Sequence, residues 1–219
     1  AWQKLVRVLT HEIMNSITPI ISLSDTMCER AIQQGRDEES MMRQGMKTIH
    51  RRSKGLLNFV ENYRKLSRLA SPVLAPVKVG ELLGDIQKLF PSSKVRYIYK
   101  VEDECRKLMI DRSQMEQVLI NLLKNASEAC EESPNPEVVV ETTYQEEKYI
   151  FQLSVTDNGC GILPDVLDRI FIPFFTTKST GSGIGLSLCK QIVTMHGGSI
   201  RVTSEIGKGS CFVVKMVVK

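Results

Sequence analysis

The chain opens with two long amphipathic stretches. Leu5, Leu9, Ile13, Ile17, Ile20, Met27 and Ala31 recur at spacings of three, four or seven, the period of one helix face. Gly35, Arg36 and Asp37 interrupt the pattern. Met42, Met46, Ile49, Leu56, Val60 and Tyr63 then resume it, with Ser53 on the same stripe. The spacing predicts helices over residues 2–33 and 38–70, joined by a short connection into an antiparallel hairpin. One hairpin cannot cover both apolar stripes. Two copies paired as a four-helix bundle cover them, so a homodimer is expected.

Ser71-Pro72-Val73-Leu74-Ala75-Pro76 reads as a linker, because its two prolines end helical structure. The pattern then alternates. Val79 to Leu89 predicts a helix and Val95 to Val101 a strand. Asp111 to Glu131 predicts a helix with Asp111 as N-cap and Gln114 three residues on. Val138 to Thr143 and Tyr149 to Thr156 predict strands, and Gly183 to Met195 a helix. Ile200 to Thr203 and Ser210 to Val218 predict closing strands. The expected architecture is a helical hairpin followed by an α+β sandwich, a mixed sheet with helices on one face. The expected domains are residues 1–72 and 73–219. Residues 161–183 show no period. A stretch that long within a compact domain points to a functional segment, here read as a lid.

The chain has 219 residues, 42% hydrophobic and 25% charged, values of a folded domain with a core rather than a disordered or fibrous chain. No apolar run approaches the roughly 18 residues of a membrane helix. The most apolar, Phe212 to Val218, is broken by Lys215. With Ala1 at the start and no signal-peptide pattern, the expectation is a cytoplasmic fragment. Any membrane anchor of the full-length protein would lie outside it. Six cysteines, none in a C-x-x-C pair, read as free thiols rather than a zinc site. Residues 1–75 carry 12 Lys and Arg against seven Asp and Glu. Their basic cluster, Arg43, Lys47, Arg51, Arg52 and Lys54, reads first as a solvated helix face. A nucleic-acid patch or a docking face for an acidic partner are its other readings; no direct nucleic-acid partner is expected.

Four motifs carry candidate chemistry. Asn121 and Asn125 lie four apart on a helix, so both amides share a face and suit a hard cation such as Mg²⁺ held with phosphate oxygens. Ordinary polar surface positions would read the same. Asp157-Asn158-Gly159-Cys160-Gly161 follows a strand directly. A buried carboxylate there can accept a hydrogen bond from an exocyclic amine such as that of adenine, although the same residues also suit a tight turn. Phe171-Ile172-Pro173-Phe174-Phe175-Thr176-Thr177-Lys178 sits in the lid, with Lys178 within reach of a phosphate. Gly181-Ser182-Gly183-Ile184-Gly185 opens a helix, where backbone N–H groups face an anion. It is neither a Walker A loop nor a dinucleotide fingerprint.

Together, in this order, the four motifs resemble the N, G1, F and G2 boxes of the histidine kinase ATP-binding domain, in the wider group of gyrase, Hsp90, histidine kinases and MutL. The resemblance covers residues 75–219. It implies that Asn125 is the main Mg²⁺ ligand with Asn121 in support, and that Asp157 reads adenine. It further implies that Gly159 and Gly161 shape the pocket, and that the Gly181 to Gly185 segment holds the triphosphate.

His11-Glu12-Ile13-Met14-Asn15-Ser16-Ile17-Thr18-Pro19 resembles the H box of the same kinases. His11 lies two residues from Leu9 and from Ile13, about 200° round the helix from the apolar stripe, and is expected to be exposed. Its imidazole would attack the γ-phosphoryl group of ATP while Glu12 takes the proton of the other ring nitrogen. Asn15, one turn on, is implied to orient water for dephosphorylation. The implied activity is a sensor histidine kinase that phosphorylates itself and then an aspartate of a response regulator. An ATPase switch of the gyrase, Hsp90 and MutL type is the rival. That group places a glutamate base where this chain has Asn121, and an amide cannot accept a proton. A non-enzymatic nucleotide-sensing scaffold predicts that His11, Glu12, Asn125 and Asp157 have decayed, and all four are present.

Overall fold

The computed structural model describes residues 13–23, 25–26, 38–67, 69–91, 94–178 and 181–218. The chain divides between Arg68 and Leu69 into two compact units.

In the first unit, residues 13–23 and 25–26 are helical (α1), and α2 runs over Glu38–Ser67. Both helices keep large apolar side chains in solvent: Met14, Ile17 and Ile21 on α1, Met46, Leu57 and Val60 on α2. Among the residues of the basic cluster whose side chains are described, Lys47, Arg51, Arg52 and Lys54 are all exposed.

The second unit is a two-layer sandwich. Its sheet has the order β2 (Arg96–Val101), β4 (Glu137–Gln145), β5 (Ile150–Asp157), β7 (Gly209–Val217), β6 (Ser199–Glu205). The β2–β4 pair is parallel and the others are antiparallel. A parallel pair needs a crossover, supplied here by β3 (Lys107–Ile110) and α4 (Arg112–Ala129). Helices α3 (Val79–Leu89), α4 and α6 (Gly185–Met195) cover one face. The strands alternate accordingly: Val138, Val140, Leu153, Val155, Phe212 and Val214 are buried, while Glu141, Arg201 and Lys215 on the other face are exposed. Helix α4 is the keystone, with Val118, Leu119, Leu122 and Leu123 at 0% exposure. Truncating any of these leucines to Ala is expected to cost about 2–5 kcal/mol.

The expected linker is shorter than its prolines suggest. Ala75–Lys78 forms β1, paired antiparallel with β3. Pro76 is tolerated because this ribbon has only two strands and leaves edges free of ladder bonds. Within the expected lid, Pro164–Leu167 forms a short helix, α5, with proline at its start.

Candidate functional site

Helix α4 presents Asn121 and Asn125, both half-buried, on one face. Its start is secured by Asp111, whose Oδ1 accepts the Gln114 N–H at 3.1 Å and the Ser113 hydroxyl at 2.8 Å. The other carboxylate oxygen, Oδ2, accepts the Val73 N–H at 3.0 Å. The Gln114 side chain donates to the Ala70 carbonyl at 2.9 Å. Residues 70–73 are thus stitched to the first turn of α4. The Val73 N–H, followed by Gln114 and Ser113, holds the Asp111 carboxyl below its ordinary range.

The Cys189 thiol of α6, which burial pushes up to about 12, donates to the Val118 carbonyl of α4 at 3.8 Å. Asn121 Oδ1 lies opposite Gly185, the first residue of α6; a Cβ there would sit 3.6 Å away, an ordinary contact. Two amide oxygens on one face fit a cation that also takes phosphate oxygens. Among the described residues no cluster of three His, Cys, Asp or Glu offers an alternative all-protein metal site.

Asp157 ends β5 on the helix-covered side of the sheet, between Val138 and Ser210 in register. It is 4% exposed. Its recorded hydrogen bonds both end on Oδ1, from Gly159 N at 2.9 Å and Ser210 N at 3.2 Å. Burial raises its pKa, against the opposing effects of these N–H groups and of the Lys178 charge. A buried carboxylate with one oxygen committed is suited to accept a ligand N–H on the other. Asn158 has a different task. Its Oδ1 accepts from Glu137 N at 2.9 Å and from the Cys130 thiol, and its Nδ2 donates to the Asn135 carbonyl at 2.7 Å, clasping the start of β4 to the end of β5.

The glycines of the motif are explained by close approach. A Cβ on Gly159 would lie 2.3 Å from the Ala129 carbonyl oxygen, and one on Gly161 2.2 Å from that of Glu205. Gly209, which sequence reasoning passed over, is tighter: φ is +109° and a Cβ would fall 1.9 Å from the Asp157 carbonyl oxygen. Its only signal in the sequence is the Gly207-Lys208-Gly209 turn before β7.

The lid is hooked to the glycine segment. Phe174, at φ +65°, donates its N–H to the Gly183 carbonyl at 2.8 Å. Gly183 has φ +66°, and a Cβ there would lie 2.5 Å from the Phe174 carbonyl carbon. Arg169 stacks on Phe175, 4.4 Å from the ring centroid, and Lys190 of α6 lies 5.4 Å from that of Phe171. Gly181 donates to the Lys178 carbonyl at 3.2 Å. The Lys178 ammonium pairs with Glu128 of α4, a residue the sequence motifs did not single out. The N-terminus of α6 carries no side-chain cap, so its first N–H groups remain for an anion.

Of the predicted site residues, Asn121, Asn125, Asp157, Gly159, Gly161, Lys178, Gly181, Gly183 and Gly185 all fall in the second unit, on α4, the end of β5, the lid and the start of α6. Asn15 is helical and exposed on α1. His11 and Glu12 lie outside the described residues.

A mixed sheet layered under α4 and α6, a buried acid at the end of β5 and an uncapped start of α6 are the features of a nucleotide-binding domain. Residues 110–219 match the family described as histidine kinase-, DNA gyrase B-, and HSP90-like ATPase, and the chain belongs to that family. The sensor histidine kinase ZraS of Escherichia coli (strain K12) is 33% identical over 210 residues, 93% of this chain and 43% of that protein. A putative sensor histidine kinase NtrY-like of Rickettsia conorii is 28% identical over 221 residues, 100% of this chain and 36% of that protein. A solved structure of the histidine kinase ThkA in complex with the response regulator protein TrrA covers 99% of this chain and 61% of that one, at 25% identity and a TM-score of 0.65. The chain therefore spans only 36–43% of the length of these two curated relatives.

Proposed function

We propose that this chain is the catalytic core of a sensor histidine kinase, with residues 73–219 binding ATP and residues 1–72 forming the phosphoacceptor hairpin. What supports the ATP reading is that Asp157 is buried at the end of β5, that Asn121 on α4 meets the uncapped start of α6 at Gly185, and that Lys178 is paired to α4 through Glu128. Asp157 accepts from the adenine amine, Gly159 and Gly161 let the backbone close on the base, and the Gly181–Gly185 segment with Lys178 holds the phosphates. Asn125, supported by Asn121, would hold Mg²⁺, which when bound screens the triphosphate charge.

His11 is the phosphoacceptor. One imidazole nitrogen attacks the γ-phosphorus, a P–N bond forms, the bond to the bridging oxygen breaks, and ADP leaves. Glu12 takes the proton from the other ring nitrogen. The phosphoryl group then passes to an aspartate of a response regulator. Asn15 orients the water that removes it again. Asn121, an amide where a hydrolytic base would stand, favours transfer over hydrolysis. The exposed apolar side chains of α1 and α2 support a homodimer through this unit. Among the described residues no helix is long and apolar enough to cross a membrane. We place the chain in the cytoplasm, with any membrane anchor supplied by other segments of the full-length protein.

The test is incubation with γ-labelled ATP. Label should be acid-labile and base-stable, as a P–N bond requires, and absent from His11→Gln. Undiminished labelling of His11→Gln would refute the assignment.

A further inference from the structure

We propose that Glu128 is a charge latch for the nucleotide site: it holds the lid lysine, Lys178, until phosphates take it over. The inference rests on the reading of Lys178 as a phosphate ligand and deepens it. Glu128 follows Asn125 by three residues on α4, so it stands one turn on along the same face. Its carboxylate pairs with the Lys178 ammonium across 50 positions of sequence. Lys124, the other cation near it, is further away at 4.0 Å. Lys178 also reaches Asp157 electrostatically, opposing the rise in its pKa, so the ammonium sits within the field of the pocket.

An anionic triphosphate entering this site meets a cation already committed to a carboxylate, on the same helix face as the two amides. The Lys178 side chain is 44% exposed and that of Glu128 34%. An ion pair this open to solvent is weak. It can be exchanged for a phosphate contact without a large barrier, yet it still subtracts from phosphate affinity. Glu128 thus acts as a positioning residue. It keeps the lid lysine against α4 and makes its release depend on a ligand that carries phosphate.

The experiment is a double-substitution cycle read by calorimetry, with Mg·ATP and adenosine as probes on the full chain. Glu128→Gln is expected to bind Mg·ATP about two- to fivefold more tightly, the range an exposed ion pair allows. Lys178→Met is expected to bind it more weakly. The gain from Glu128→Gln should vanish when Lys178→Met is already present. Adenosine, which has no phosphate, should bind all four proteins alike. Weaker Mg·ATP binding by Glu128→Gln would overturn the latch and assign Glu128 to binding itself. A gain that persists without Lys178 would overturn it in favour of plain repulsion of the triphosphate. If Lys178→Met leaves Mg·ATP affinity unchanged, the phosphate role of Lys178 fails and the latch with it. If the unsubstituted chain binds no Mg·ATP, the ATP reading itself fails.

Discussion

Asp157→Asn should separate ligand binding from stability, and the structure gives the sign of each. In the wild-type chain Oδ1 accepts from Gly159 N and Ser210 N, which leaves Oδ2 to the proposed contact with the adenine amine. Asparagine has one acceptor oxygen. If that oxygen keeps the two backbone donors, the ligand amine meets an NH₂ group; if it turns to the ligand, the two buried N–H groups lose their acceptor. A hydrogen bond to a charged partner is worth about 1.5–3 kcal/mol, so Mg·ATP affinity should fall by at least roughly tenfold. Stability should move the other way. Burial raises the pKa of Asp157 in the folded state, so folding favours the protonated acid. Its contribution is fully present below the unfolded value of about 3.9 and is lost as pH rises through the higher folded value. At neutral pH the wild-type chain therefore folds against the cost of burying an ionised carboxylate. The ligand-free variant, with the amide oxygen on the backbone donors, should be at least as stable there and should show less loss of stability on raising pH from 4 to 7. Calorimetric titration with Mg·ATP and urea denaturation across that pH range read both quantities. Unchanged affinity would refute the adenine contact. A stability loss above about 1 kcal/mol at neutral pH, beyond the net worth of a typical hydrogen bond, would refute the electrostatic argument.

Three further outcomes follow from other parts of the chain. Asp111→Ala removes the cap of α4 and the anchor for Val73, and should destabilise the second unit by about 0.5–2 kcal/mol, read as a lower Tm. Because the Asp111 pKa is lowered, this stabilisation is present above the unfolded value and lost as pH falls through the folded one, so wild type and variant should converge in acid. Asn15→Ala should keep most autophosphorylation but lose most dephosphorylation of a phosphorylated regulator; equal regulator decay with both proteins, each faster than the regulator alone, would remove Asn15 from that role. Light scattering should give a dimeric mass for the full chain at micromolar concentration and a monomeric mass after removal of residues 1–68, and a dimer that survives the deletion would move the interface elsewhere.

Much of the second unit was legible in the sequence because its signals are local. Helix α3 falls over Val79–Leu89 as the periodicity predicts, and Asp111 caps α4 through Gln114 N as the spacing predicts. β1 and β3 were not legible: each has four residues, too few to show a period, and Pro76 argued against a strand. The nucleotide motifs were readable as motifs, but their bracing was not. The thiol of Cys189 on the Val118 carbonyl, the Ser210 N–H on Asp157 and the Glu128–Lys178 pair each join residues more than 40 positions apart, where neither spacing nor propensity carries information. The Asp157 turn shows the same limit. Asp-Asn-Gly reads as turn and as site alike, and only the structure divides the residues, giving Asn158 to the clasp of β4 and burying Asp157 on the Gly159 and Ser210 N–H groups.

The bond between Phe174 and Gly183 makes the intervening residues a closed ring of chain. Once the ends of such a ring are tied, added length raises its closure cost only slowly. Each doubling of such a loop adds only about 0.6 kcal/mol of closure entropy. Insertions between Thr176 and Gly181 should therefore be absorbed with little loss of fold stability, provided the base of the ring is intact. A Cβ at Gly183, which collides with the Phe174 backbone, strains the tie itself and so acts on every residue the ring encloses. The segment is free to vary in length but not at its knot.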